Sequence, residues 1–330
     1  SYIEKLDKVV FQESLGTVRQ KAERLEKLAC ALSTDAQLDA ADAADAKRAA
    51  RLCKADLVTN AVIEFTSVQG VMGSYYAAAS GETPQVARAI GAHYQPRFAG
   101  DALPDTTVGK LVALADKLDT ICGLFAVGQG PTGSSDPFAL RRSAIGIVNM
   151  LETGLPISLA AAIDESLASF AAQGVAFDAA AVRAEVVDFF VTRTKVMLRD
   201  DGVNADTIDA VLAAGVEEPA VISQRAHALE DARANDAETF DNLATDDARA
   251  FYLRKPELGE DVDDALLTEP ERALAGAVAT AEQAVASALA SDDFAAALSQ
   301  LAALRAPIDG FFADVMVMDE DAALRDNRLR

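Results

Sequence analysis

Only two histidines, His93 and His227, occur in 330 residues, one in each half of the chain. A site built on several imidazoles, or a relay of serine, histidine and aspartate, cannot be assembled from them. Cys30, Cys53 and Cys122 have neither metal-binding nor redox spacing and read as reduced, partly buried thiols. Neither GxxxxGK[ST] nor a GxGxxG opening a helix is present. Gly128, Gly130 and Gly133 in GQGPTG are spaced like a phosphate loop, but Pro131 removes an N–H that such a cradle needs. That loop reads as a turn. No residue is expected to act as a catalytic nucleophile, acid or base.

One scattered set does carry a chemical pattern. His93 in IGAHYQPRFAGDALP and Asp116 in LVALADKLDTI resemble two ligands of the HD-type metal phosphohydrolases. Such proteins hold divalent metal with a histidine, an adjacent His-Asp pair and a late aspartate, and the metal makes hydroxide at neutral pH. The stretch AARLCKADL resembles the helix that bears the pair, but Cys53 and Lys54 stand there. An ammonium repels a divalent ion. His93 and Asp116 are therefore expected to be hydrogen-bonded relics, with no metal on this chain.

The elements that hold these residues read as helices. Thr83 with Pro84 has the form of an N-cap followed by proline at the first helical position, and Asp136 with Pro137 repeats it. After Pro104 and Asp105, Val108, Leu111, Val112, Ala115, Leu118 and Cys122 recur at helical spacing, with Asp119 on the same side. Segments 14–32 and 46–65 also predict helices. Later patterns lie in VVDFFVTRTKVML, TIDAVLAAG and VISQRAHALEDARA, and the last helices are expected near Glu271, Asp292 and Asp319 or Glu320. Pro307 is expected to break or kink the chain. No period-2 strand or hairpin dipeptide stands out, so the fold class is all-α.

Apolar residues make up 51% of the chain, mostly Ala, Leu and Val, with no Trp; such composition packs helices closely rather than around aromatic anchors. No run of 18 uncharged apolar residues occurs, so no membrane partner is expected, and no secretion signal opens the chain. With reduced thiols, this points to the cytoplasm. The chain begins without Met and inside a pattern, as part of a longer polypeptide would. Charge is uneven. Residues 1–160 hold 16 basic and 18 acidic side chains, and residues 161–330 hold 14 and 34. That asymmetry, the Ala-rich stretch near Pro156 and the glycines at 154 and 174 suggest a domain over 1–160, a linker over 161–180 and a second domain over 181–330. The polar stretch 238–267, with Pro256 and Gly259, reads as a long connection.

Four long segments, KADLVTNAVIEFTSVQGVMGSYYAAASGE, HYQPRFAGDALP, LVALADKLDTICGLFAVGQGPTGSSDPFALRR and FFADVMVMDEDAALRDNRLR, resemble the β subunit of bacterial, heterotetrameric glycyl-tRNA synthetase, in the family's order over essentially the whole chain. The resemblance implies the C-terminal part of β. It implies a degenerate HD-like helical domain contacting the tRNA acceptor arm, then a helical-bundle anticodon-binding domain whose last helix continues past residue 330. It also implies tRNA(Gly) and the α subunit as partners, in an assembly of two α and two β, with no DNA bound. Glycine activation, with its ATP and Mg, would belong to α; no cofactor is expected on this chain. Where relatives place basic residues, DNLATDDARAFYLRKPELGEDVDD offers few cations, of which Arg254 and Lys255 are the ones expected to meet RNA.

RNA contacts need cations for phosphates and exposed edges or rings for bases. In the first domain the candidates are Lys54, Arg97, Lys110, Arg141 and Arg142, the last two in the opening turn of a helix whose N–H groups also attract phosphate. Lys117, between Asp116 and Asp119, reads as surface charge or an ion-pair partner. In the second domain they are Arg193, Lys195, Arg254, Lys255, Arg325, Asn327 and Arg328, with Phe251 and Tyr252 as stacking rings. Phe311 and Phe312 read as core. Two other functions fit less of the sequence: an HD-type metal phosphohydrolase, and an acidic helical module that binds protein.

Overall fold

The computed structural model describes residues 2–235, 237, 240, 251–259 and 261–330. Among the described residues the fold is all-α apart from one small hairpin. The chain opens with α1 (Tyr2–Lys5), β1 (Val10–Gln12) and β2 (Gly16–Thr17), the strands pairing antiparallel. Then follow α2 (Val18–Asp35), α3 (Ala40–Leu52), α4 (Asn60–Glu64), α5 (Val71–Ala79), α6 (Pro84–Ala92), α7 (Thr107–Ala126), α8 (Leu140–Leu151), α9 (Leu159–Gln173) and α10 (Ala179–Asp200). After α11 (Ala205–Ala213) and α12 (Pro219–Asn235), the described helices are α13 (Glu269–Ala290), α14 (Phe294–Ala302), α15 (Arg305–Asp314) and α16 (Ala322–Arg328). Much of the expected connection over 238–267 lies outside the described residues, including 241–250.

Several local expectations are corrected. The helix expected from residue 14 starts at Val18, because Gly16, at φ +89°, turns the chain and Thr17 with Gln20 forms a reciprocal capping box. The strands missed in the sequence are only three and two residues long, too short to show an alternation. The helix expected over 46–65 ends at Leu52, and a 3₁₀ turn at Ala55–Val58 precedes α4. That break brings Lys54 inward. Asp136 and Pro137 do not open α8. The chain turns through Ala139, at φ +55°, and α8 starts at Leu140. Pro307 falls in the first turn of α15, where a missing N–H costs little, so the helix continues through it. Thr83 does cap α6, accepting from the Val86 N–H at 3.1 Å, with Pro84 at the start.

Two compact units divide the chain. The first comprises Ser1–Gly202 with Leu212–Ser223. At its centre lies α7, buried on every side and packed against α2, α3, α6, α8, α9 and α10. The expected 161–180 linker is mostly α9, whose Leu159, Ile163, Leu167 and Phe170 are core. Arg193 and Lys195, expected in the second domain, sit on α10 and so belong to this unit.

The second unit comprises Val203–Val211 with Gln224–Arg330, where α13 packs against α14 and α15. By length and composition alone α13 is long and apolar enough to cross a membrane, although it is not a run of uncharged apolar residues. Its apolar character is mostly alanine, with Glu282 in mid-helix.

Candidate functional site

The residues of the degenerate metal pattern meet in the core of the first unit. Lys54 follows α3, His93 ends α6, and Asp116 and Asp119 project from α7. The Lys54 ammonium lies 2.7 Å from Asp116 Oδ2 and 2.9 Å from His93 Nε2, over the Tyr94 ring at 4.0 Å. His93 Nδ1 is 2.6 Å from the Ile90 carbonyl oxygen, which can only accept. The proton therefore sits on Nδ1, and Nε2 accepts from Lys54. Lys21 of α2 reaches Asp116 Oδ1 at 3.1 Å and Asp119 Oδ2 at 2.9 Å, and Arg24 reaches Asp119 Oδ1 at 2.7 Å. All six side chains are buried.

Burial and its neighbours set the charge states. Burial, reinforced by the Lys54 cation, lowers the His93 pKa to about 3, so the ring is neutral. Burial alone would raise Asp116, but Lys54 and Lys21 outweigh it and hold the carboxylate well below its ordinary range. Burial works against the Lys54 charge, and Asp116 carries its pKa above the usual lysine value. Burial also pushes the neighbouring Cys53 thiol up to about 12, leaving it protonated and unreactive. A divalent ion does not fit this arrangement. The space between the imidazole and the carboxylate already holds a positive charge on a covalent tether. Lys54, expected among the RNA contacts, is thereby committed to the interior.

A cavity of about 320 Å³ opens beside this network, lined in part by Gln69, Tyr94, Arg97, Lys117, Arg142 and Ser143. Lys117 lies between Asp116 and Leu118 on the buried helix, and its ammonium donates to the Tyr94 carbonyl at 3.1 Å. Burial lowers its pKa to about 8, against the raising influence of Asp116. Arg142 donates to the Arg97 carbonyl at 3.1 Å. Gly146 lets these parts close up. A Cβ there would stand 3.0 Å from Pro96 Cγ and 3.3 Å from Lys117 Cε. Arg97 and Arg142 are exposed at the rim.

Other sequence candidates are placed differently. The first N–H groups of α8 are already taken. Asp136 Oδ1 accepts from Leu140 N at 2.8 Å and Oδ2 from Arg141 N at 3.0 Å, so the helix start is not free for phosphate. Arg141 itself donates to the Gly133 carbonyl. Lys110 is half-buried and donates to Thr153. Arg193 is half-buried 6.0 Å from the Phe189 ring.

In the second unit, Asn327 is buried and exchanges hydrogen bonds with the Asp263 backbone. Arg328 Nε donates to Glu271 at 2.6 Å and its Nη1 to Asp319 at 2.8 Å, with 7% of the side chain exposed. Arg325 is half-buried, 3.8 Å from Asp326. Asn327 and Arg328, expected at an RNA surface, brace the last helix against the 261–264 turn and α13, while Arg325, expected there too, donates to the Asp319 carbonyl just before its own helix. Phe251, Tyr252, Arg254 and Lys255 are exposed, with the Arg254 guanidinium 4.3 Å above the Phe251 ring. Phe311 and Phe312 are half-buried, edge to face at 5.2 Å.

The profile of the glycyl-tRNA synthetase beta subunit matches residues 1–213, the whole helical body around α7. The chain belongs to the glycyl-tRNA synthetase beta subunit family. Residues 250–330 match the DALR anticodon binding domain. Among similar proteins, the glycine–tRNA ligase beta subunit of Haemophilus influenzae is 44% identical over 329 residues, which is 98% of this chain and 47% of that one. The corresponding subunit of Acinetobacter baumannii is 43% identical over 334 residues, 99% of this chain and 47% of its own. That of Vibrio cholerae is 44% identical over 98% of this chain and 46% of its own. The chain spans about half the length of the curated relatives it matches.

Within this family member, the cavity was legible only in part. Arg97 and Arg142 are exposed cations that sequence reasoning selects. Lys117 was read as surface charge because it stands between two aspartates, whereas the tertiary fold turns those carboxylates toward Lys21, Lys54 and Arg24 and leaves Lys117 facing the cavity. The cue available was its place inside an apolar run with helical period.

Proposed function

We propose that this chain is the tRNA-holding part of a glycine–tRNA ligase β subunit, positioning tRNA(Gly) so that its 3′ end reaches an active site on the α subunit. The observation that carries this reading is the lysine-filled centre. The HD-like core has an ammonium where a metal would sit, so it offers a binding body without hydrolytic chemistry of its own. Glycine activation, with ATP and Mg²⁺, is assigned to α, and the working assembly to two α and two β chains in the cytoplasm.

In this reading the first unit meets the acceptor arm with Arg97, Arg142 and Arg141, while the second meets the anticodon with Phe251, Tyr252, Arg254 and Lys255. Holding the reactive hydroxyl near an activated glycine converts a bimolecular encounter into an intramolecular one. The family membership and the anticodon-binding profile support the assignment. The deciding experiment is aminoacylation by α with full-length β, compared with β lacking these 330 residues. Glycylation should collapse without them while glycine-dependent ATP–pyrophosphate exchange persists in the α subunit. Equal glycylation by both forms would refute the reading.

A further inference from the structure

Ion pairing takes up many but not all cations of the first unit; Lys110 and Arg141, for instance, bond neutral oxygens instead. Arg48 pairs with Glu82, Arg51 with Glu23, Arg88 with Asp105 and Arg183 with Asp164. Among the described residues, Arg97, Lys117 and Arg142 have no carboxylate within ion-pair distance, although the chain holds 52 acidic side chains. All three line the same cavity, and its lining contains no Asp or Glu. Their only described side-chain bonds go to carbonyl oxygens: Lys117 to Tyr94, and Arg142 to Arg97. Asp101, the nearest acid in sequence to Arg97, accepts from its backbone N–H at 2.7 Å.

Asp116 and Asp101 attract Lys117 from outside the lining, but within the cavity the three cations face no carboxylate and repel one another, at a cost that falls when an anion enters. Their hydrogen-bonding capacity is also unspent. An ammonium has three donors and a guanidinium five; each of the two bonded here uses one. Gln69, Ser67 and Ser143 add neutral donors. The volume lies at the low end for ligand pockets, typically ~300–1,000 Å³, which suits a phosphate with its adjoining ribose rather than a folded segment.

We propose that the cavity framed by Arg97, Lys117 and Arg142 is a subsite for a single phosphate group. Lys117 closes its floor from the buried helix, and the two arginines close its rim. Under the RNA reading above, on which this choice of occupant rests, the group is a backbone phosphate of the bound tRNA. A free nucleotide would present the same chemistry.

The test uses the intact protein with Arg142→Gln, Lys117→Met and the control Arg88→Gln, an exposed cation paired with Asp105. Binding of tRNA is measured from 50 to 200 mM salt, and binding of adenosine 5′-monophosphate and of inorganic phosphate is measured by calorimetry. Arg142→Gln and Lys117→Met should each weaken tRNA about tenfold and lower the magnitude of the log–log salt slope by about one, as for one lost phosphate contact. Arg88→Gln should do neither. Arg142 is exposed, so its replacement tests the site even if Lys117→Met fails to fold.

Adenosine monophosphate binding lost in both variants, with tRNA binding unchanged, would keep the phosphate subsite and overturn RNA as its occupant. Wild-type protein that binds no tRNA would sink the RNA reading, leaving the two small probes to decide the pocket. If neither tRNA nor either small probe distinguishes the variants from the control, the cavity is not a phosphate site.

Discussion

Two helices of similar length show how differently the compact units are built. In α7, 16 of 20 residues are buried, including Asp116, Lys117 and Asp119. In α13, 22 residues long, only Glu271, Ala281 and Ala288 are buried. The first helix is the axis of a packed body and can hold charges at fixed positions because their partners come from surrounding elements. The second is a surface helix of alanines secured at its start by an arginine. A network of pre-organised buried charges is built on α7, whereas α13 holds one, Glu271 at its start, and presents the rest of its length as a face. The proposed function divides in the same way, with buried geometry in the first unit and exposed rings in the second.

The comparison breaks first at Lys54. Lys54→Met leaves the buried Asp116 carboxylate to Lys21 alone, and should cost the first unit about 3–5 kcal/mol, the range for removing one member of a buried pair. Hydrogen exchange resolved by peptide should show faster exchange in α3, α6 and α7, with α13 and α14 unchanged. Equal loosening of both units would mean that they unfold together. A matched pair of truncations sharpens the contrast. Leu118→Ala, fully buried in α7, should cost about 2–5 kcal/mol, and Leu289→Ala, exposed in α13, about 0.5 kcal/mol or less. Comparable losses in denaturant titrations would show that α13 is covered in solution.

The second unit should fail at Arg328. Arg328→Ala strands Glu271 and should cost about 1–3 kcal/mol in that unit. Although burial would raise its pKa, the hydrogen bonds from Arg328 and Thr268 hold Glu271 below its ordinary value of 4.5. Its contribution is therefore fully present above about pH 4.5 and is lost as pH falls through the depressed folded value. Hydrogen exchange in α13 and α16 as pH is lowered should show that loss in the parent, and Arg328→Ala should remove most of it. The smallest effect on stability is expected at Tyr252. Tyr252→Ala, on an 84% exposed ring, should leave the fold intact and weaken tRNA binding by about 1–3 kcal/mol if a base stacks there. Unchanged tRNA affinity would remove the ring from the proposed anticodon surface.

How legible all this was in the sequence depends on what each residue type reports. The Thr83–Pro84 cap and the apolar period of 108–122 are local signals, and the helices formed where they pointed. The break after Leu52 was hidden because apolar residues continue on both sides of it. Net charge misplaced the domain boundary, since charge reports on outward faces while α9 and α10 join the first unit through Phe170, Val186 and Phe190 on their inward ones. A lysine reads as surface until four elements are known to converge on it, which is why Lys54 was placed on the wrong side of the protein. Asp136 was expected to cap a helix opening at Pro137; that it instead reaches past Ala139 to fill the Leu140 and Arg141 N–H groups at the start of α8 needs coordinates.

The ammonium between His93 and Asp116 also changes the conditions under which the first unit can fold. A protein whose core is closed by a bound ion is stabilised in proportion to the logarithm of that ion's free concentration, and chelation or competition by other metals can weaken it. Here the positive charge arrives with the polypeptide, one per chain, at a position fixed by translation. Completion of the core is thereby uncoupled from the metal composition of its surroundings.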